Sequence, residues 1–140
     1  MDIRKITDEL SVAPQISAQD VAAIAAAGFR AVICNRPDGE SSDQPCCEEI
    51  ESAVKANGLA WRAQPVRSGG VTLEDAAAFG ALMVELPKPV LAYCRSGTRC
   101  AQLWCLSQAG KRPLPDIVAR ARAAGYDVTA LMQHALGPTA

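Results

Sequence analysis

The stretch Pro89–Gln108, PVLAYCRSGTRCAQLWCLSQ, places a strand, a small polar loop and a helix in direct succession, and it constrains everything else in the chain. Val90–Tyr93 is a short apolar run of the kind that fills a buried strand. Ala101, Leu103, Trp104, Leu106 and Ala109 then keep apolar residues to one side of a helix. Between them lies Cys94-Arg95-Ser96-Gly97-Thr98-Arg99. Backbone N–H groups of so compact a loop can point inward, and the positive end of the following helix adds to them. Each of these groups favours a thiolate over a thiol, so Cys94 is expected to be a nucleophile. Arg99 is expected to act with it, and Arg95, Ser96, Gly97 and Thr98 to bind an anion. The alternative is a buried structural cysteine. Such a residue has no need of two arginines, a serine and a glycine in the next five positions.

The flanking sequence predicts an α/β fold with a mainly parallel central sheet and helices on both sides. Asp2–Ile6 and Glu9–Ala13 read as edge strands or an opening hairpin. Ser17 and Asp20 make a capping box for a helix to about Ala27, with Val21, Ile24 and Ala25 inward and Gly28 after it. Ala31–Cys34 is a strand, Cys46–Asn57 a helix with Ile50, Ala53 and Val54 inward, and Leu59–Val66 a further strand. Thr72 and Asp75 open a third helix, with Ala78, Phe79, Leu82 and Met83 inward. Lys111–Pro115 is a linker, followed by helices at about Asp116–Ala124 and Val128–Leu136. Ligands of such sheets bind beyond the carboxyl ends of the strands. Three loops meet there: Asn35–Glu40, Arg67–Gly70 and Cys94–Arg99. Arg36 is expected to assist anion binding or to be a solvated strand-end charge.

Residues 1–140 are expected to form one domain, long enough for a real core. A net charge of −1 provides no electrostatic ground for nucleic acid or an anionic membrane as partner. Met1–Lys5 lacks the apolar segment of a signal peptide, and no apolar run approaches a membrane span, so a cytoplasmic location is expected. Of the six cysteines, none forms a CxxC pair, and His134 is the sole histidine. The expectation is reduced thiols, no metal and no cofactor. Cys34 and Cys100 are read as core residues or as partners that trap Cys94 in a disulfide. Cys105 is read as core, Trp104 as packing, and Trp61 as packing or the rim of a pocket.

Three segments together, IRKITDELSVAPQIS at the start, CNRPDGE at 34–40 and LAYCRSGTRCAQLW at 91–104, resemble the phosphatase-like domain family of beta-lactamase-hydrolase-like proteins. The resemblance implies a tyrosine/dual-specificity phosphatase-like fold. It also implies kinship with proteins fused to metallo-beta-lactamase-type domains that handle persulfides, many being described as sulfur transferases.

Two chemistries follow for the loop. Tyrosine phosphatases place five residues between cysteine and arginine, whereas Cys94 and Arg99 have four between them and Cys100 holds the next position. The shorter ring resembles the loop of rhodanese-type sulfurtransferases. Phosphate monoester cleavage also wants a general acid, worth about 10²–10⁴-fold. Arg67–Gly70 has no carboxylate, Glu74 and Asp75 fit a helix first turn, and Asp38 is either a candidate acid or a turn former. The sequence reading therefore favours a sulfurtransferase, moving sulfur from thiosulfate or a small persulfide to a thiol acceptor through Cys94. The alternatives are a phosphatase acting on phosphate esters through Cys94 and Arg99, and a non-catalytic module that binds anions or phosphoproteins.

Overall fold

The computed structural model describes residues 1–136. In chain order they form β1 (Arg4–Lys5), β2 (Leu10–Ala13), a 3-10 turn (Ala18–Asp20) running into α1 (Val21–Ala26), β3 (Ala31–Cys34), α2 (Cys47–Ala56), β4 (Ala60–Ala63), α3 (Leu73–Glu85), β5 (Val90–Tyr93), α4 (Thr98–Ser107), α5 (Leu114–Ala123) and α6 (Thr129–Leu136). The sheet order is β1-β2-β5-β3-β4. Only β1 runs antiparallel to its neighbour; the pairings of β2 with β5, β5 with β3 and β3 with β4 are parallel. The four parallel strands therefore deliver their following loops to one edge, as expected for an α/β fold of this kind.

Strand β5 lies at the centre, and all four of its residues are buried. Its alternating side chains enter two cores. Val90 and Ala92 join Phe79, Leu103, Trp104, Ile117 and Met132 on the side of α3–α6. Leu91 and Tyr93 join Val21, Ile24, Ile50, Val54 and Trp61 on the side of α1 and α2. Cys94 continues the alternation on the α3–α4 side. Each large side chain removed from water in these layers contributes ~1.5–3 kcal/mol, which is what fixes the strand–loop–helix unit in place.

Both capping boxes form. Ser17 Oγ accepts from the Asp20 amide at 3.2 Å, with the Ser17 amide on Asp20 Oδ2 at 2.9 Å. The Thr72–Asp75 box closes at 3.0 and 3.1 Å. Several expectations need correction. β1 and β2 form the opening hairpin rather than two edge strands, because β1 folds back antiparallel outside β2 and leaves β2 interior. β4 stops at Ala63 rather than Val66, although the Gln64 and Val66 amides still donate to Cys34 O and Asn35 O at 2.8 and 3.0 Å, and Pro65 between them sits where an edge strand needs no donor. Ala78 is exposed, since Ala76 and Phe79 define the buried stripe of α3. Ala25 is only half-buried. The expected linker is partly helical, with Pro113 preceding α5 and Pro115 in its first turn, where a missing amide costs nothing. Trp61 packs in the core against Tyr93, ring centroids 6.5 Å apart.

Candidate active site

The end of β5 is held from both sides. The Cys94 amide donates to Ala13 O at 3.3 Å, and the Asn35 amide to Tyr93 O at 2.9 Å. One residue on, the Gln15 amide donates to Arg95 O at 3.2 Å. The loop then turns through Gly97, whose φ of 90° an L side chain rarely adopts. That turn aims the Gly97 amide back at Cys94 Sγ, 3.1 Å away. The cysteine is fully buried. Its thiol is nevertheless lowered to about 5, first by a hydrogen bond from the Cys100 thiol and then by the amides of Cys100, Ser96 and Arg99, against the opposing effect of burial. Cys100 pairs the opposite way: burial, and its role as donor to Cys94, push it well above the ordinary thiol range. The thiols at the two ends of the loop, Cys94 before it and Cys100 in the first turn of α4, thus divide into an anion and its hydrogen-bond donor.

Arg99, on the first turn of α4, is 4% exposed. Its guanidinium meets Glu40 with both nitrogens, Nη1 to Oε2 at 2.7 Å and Nη2 to Oε1 at 2.9 Å, and Nη1 also donates to Val66 O at 2.9 Å. The paired charges hold Glu40 down at about 2. Cys94 sits close enough to raise the Arg99 pKa further. Arg36 shares the same carboxylate, with Nε 2.9 Å from Glu40 Oε1, and donates to Gln15 and Ser41 as well. At 4% exposure it is no solvated strand-end charge. It ties the loops after β2 and β3 together.

The other expected residues are placed as follows. Ser96 Oγ donates to Thr98 Oγ1 at 2.9 Å and accepts from the Thr98 amide at 3.3 Å, so the two hydroxyls stiffen the exposed side of the loop. Arg95 lies exposed at that side. Asp38 accepts from the Cys47 amide at 2.8 Å, which commits its carboxylate to the start of α2. Asp75 is likewise committed to its capping box.

Three contributions to the site are not legible in the sequence. Glu40 was visible only as the end of a polar turn, although a carboxylate one loop away from two arginines is a signal of pairing. The hydrogen-bonding role of Cys100 was hidden behind its apolar alternative. Tyr126 carries no local signal; its hydroxyl donates to Ser96 O at 3.0 Å from the segment between α5 and α6. A Cβ at Gly97 would overlap that hydroxyl.

Residues 2–111 match the family described as "Beta-lactamase hydrolase-like protein, phosphatase-like domain". A "Beta-lactamase hydrolase-like protein" of Agrobacterium fabrum is 34% identical over 128 residues, covering 90% of this chain and 30% of that protein. The chain thus spans under a third of that relative. A solved structure from Neisseria meningitidis, described as a "putative phosphatase", superposes with a TM-score of 0.86 at 35% identity, covering 96% of each chain. Tk-PTP in its active form superposes with a TM-score of 0.74 at 17% identity, covering 96% of this chain and 93% of that one, a likeness of fold. The fold is accordingly phosphatase-like, and the chain belongs to the beta-lactamase hydrolase-like protein, phosphatase-like domain family.

Proposed function

We propose that the chain is a cysteine-dependent phosphatase acting on phosphate monoesters whose leaving group departs without help from an acid. The observation that carries this reading is the buried Cys94 sulfur ringed by amides, with the Gly97 N–H 3.1 Å away and its pKa lowered to about 5. Membership of a phosphatase-like family supports it over the sulfur-transfer reading favoured by the sequence alone.

In this mechanism the Cys94 thiolate attacks phosphorus, the ester oxygen leaves with its electron pair, and water later hydrolyses the cysteinyl phosphate. The amides of Ser96, Gly97, Arg99 and Cys100 hold the attacking thiolate, and Arg99 adds a fixed positive charge beside it for the charge that develops on the phosphoryl group. Arg95, Ser96 and Thr98, on the exposed side of the loop, receive the phosphoryl oxygens. Asp38, Glu40 and Asp75 are each already engaged, Glu40 too acidic to donate a proton near neutrality. Aryl and acyl phosphates are therefore the expected substrate class, with alkyl phosphates poor by about 10²–10⁴-fold. Residues 1–140 act in this reading as one catalytic unit.

A second reading is supported by the same engaged carboxylates and by the four-residue spacing from Cys94 to Arg99. The thiolate attacks the outer sulfur of thiosulfate, the S–S bond breaks, and sulfite leaves with the electron pair without needing a proton. A thiol acceptor then takes the sulfur.

Turnover of an aryl phosphate, measured beside thiosulfate with cyanide, separates the two. Acid-quenched intact mass should show a phosphoryl group on the wild type and nothing on Cys94→Ser. A sulfur adduct with thiosulfate and no phosphate release would overturn the phosphatase reading. Phosphate binding without either turnover would leave only an anion-binding module.

A further inference from the structure

Cys34 ends β3 and Cys47 begins α2, so the two bracket the loop that carries Arg36, Asp38 and Glu40. Their sulfurs lie 3.2 Å apart, and both face the carbonyl of Arg36, at 3.3 Å from Cys34 and 3.6 Å from Cys47. Disulfide sulfurs stand ~2.05 Å apart, so joining these two asks for an approach of only about 1 Å. The surrounding backbone holds them face to face. The Gln64 amide donates to Cys34 O at 2.8 Å, and the Cys47 amide to Asp38 Oδ1 at 2.8 Å. Cys34 is buried and Cys47 half-buried, so Cys47 is the more accessible residue of the two. Neither has a part in the chemistry proposed at Cys94.

We propose that Cys34 and Cys47 are a second thiol site, which small-molecule disulfides convert into a Cys34–Cys47 disulfide that staples both ends of the loop presenting Glu40 to Arg99. The steps balance. The Cys47 thiolate attacks one sulfur of the small disulfide, whose S–S bond breaks and whose other half leaves as a thiolate. The Cys34 thiolate then attacks Cys47 Sγ and expels the second half. Two protein thiols are oxidised by two electrons, the small disulfide is reduced to two thiols, and the protons of Cys34 and Cys47 end on those thiols. The reaction is slow at neutral pH. Burial, followed by the neighbouring Cys34 thiol and Asp38, pushes the Cys47 thiol far above its usual range; Tyr93 also faces the pair, and Cys100 feels the charge of Cys34. This separates the pair from Cys94, whose thiolate is already formed. The proposal holds whichever chemistry Cys94 performs.

The test uses the full chain carrying Cys46→Ser and Cys94→Ser, which removes the exposed neighbour and the most reactive thiol. The protein is incubated with oxidised glutathione at mildly alkaline pH, and remaining thiols are then alkylated. A protease that cuts at acidic residues, such as Asp38 and Glu40, should release two peptides joined through Cys34 and Cys47. The joined form should melt about 5 °C or more above the reduced form, because the link removes disorder from the unfolded chain. Adding Cys47→Ala should abolish both results. A persistent glutathione adduct on Cys47, a link through Cys100 or Cys105 instead, or an unchanged or lower melting temperature would each overturn the proposal.

Discussion

The Glu40 carboxylate grips the Arg99 guanidinium with both oxygens, at 2.7 and 2.9 Å, and its Oε1 also accepts from Arg36 Nε at 2.9 Å. A two-point pair fixes direction as well as distance. Through it the loop after β3 determines where a cation on α4 sits relative to Cys94. Glu40 in this arrangement positions Arg99 and takes no proton itself.

Replacing Glu40 with Gln should therefore lower kcat/KM for aryl phosphate by about 10²-fold through misplacement of Arg99. It should also destabilise the fold toward the lower end of ~3–5 kcal/mol, because two buried guanidinium groups lose their anion while Glu40 itself is partly exposed. Asp38→Asn should change kcat/KM far less. Denaturant melts and steady-state kinetics on both variants check this, and equal losses would contradict the assignment.

Cys100→Ala removes the leading cause of the low Cys94 pKa. The variant should alkylate more slowly with iodoacetamide at pH 6, and its alkylation should titrate at higher pH than the wild type. Amide donors remain, so the midpoint should stay below that of an ordinary thiol. A midpoint identical to wild type would mean that the amides alone hold the thiolate.

In the wild type, Cys94 alkylation should rise through a midpoint at about pH 5 and level off above it. Because the folded pKa lies below the unfolded one, the thiolate adds stability as pH climbs from about 5 to the ordinary thiol range, and none below. Glu40 obeys the same rule at lower pH: its contribution is complete above the ordinary carboxylate range and is lost as pH falls through about 2. Reactivity should thus fall to about a tenth of its plateau near pH 4 while circular dichroism still reports a folded protein. Simultaneous loss of both would show that the network fails first.

Gly97→Ala should disable the loop twice over. The left-handed conformation costs ~1–2 kcal/mol for a residue with a Cβ, and that Cβ would displace the Tyr126 hydroxyl. Activity should drop below a hundredth of wild type, by the ~10²-fold cost of a misplaced site. Tyr126→Phe loses only the bond to Ser96 O, ~0.5–1.5 kcal/mol of stability, and should keep most activity. Thermal melts with kinetics on the pair test the ordering.

Much of this protein is legible along the chain because much of it is local. The run Val90–Tyr93, the loop after it and the helical stripe beyond are adjacent in sequence, so their succession alone places Cys94 at a strand end before a helix N-terminus. The capping pairs Ser17–Asp20 and Thr72–Asp75 are three residues apart and close on themselves. Resemblance supplied the family, which the comparisons bear out. The function favoured from the loop spacing was sulfur transfer, and the comparisons lean toward the phosphatase alternative.

What sequence order does not contain is which distant groups share a point in space. Glu40 and Arg99 are 59 residues apart, and Tyr126 and Ser96 are 30 apart. They meet because the parallel pairing of β2, β5, β3 and β4 brings four loops to one edge and the C-terminal segment folds against α4. The amino acids alone determine that a thiol stands at a tight, amide-rich turn. The assembled sheet decides its partners, since charge and hydrogen-bond terms act over a few ångströms of space whatever the separation along the backbone.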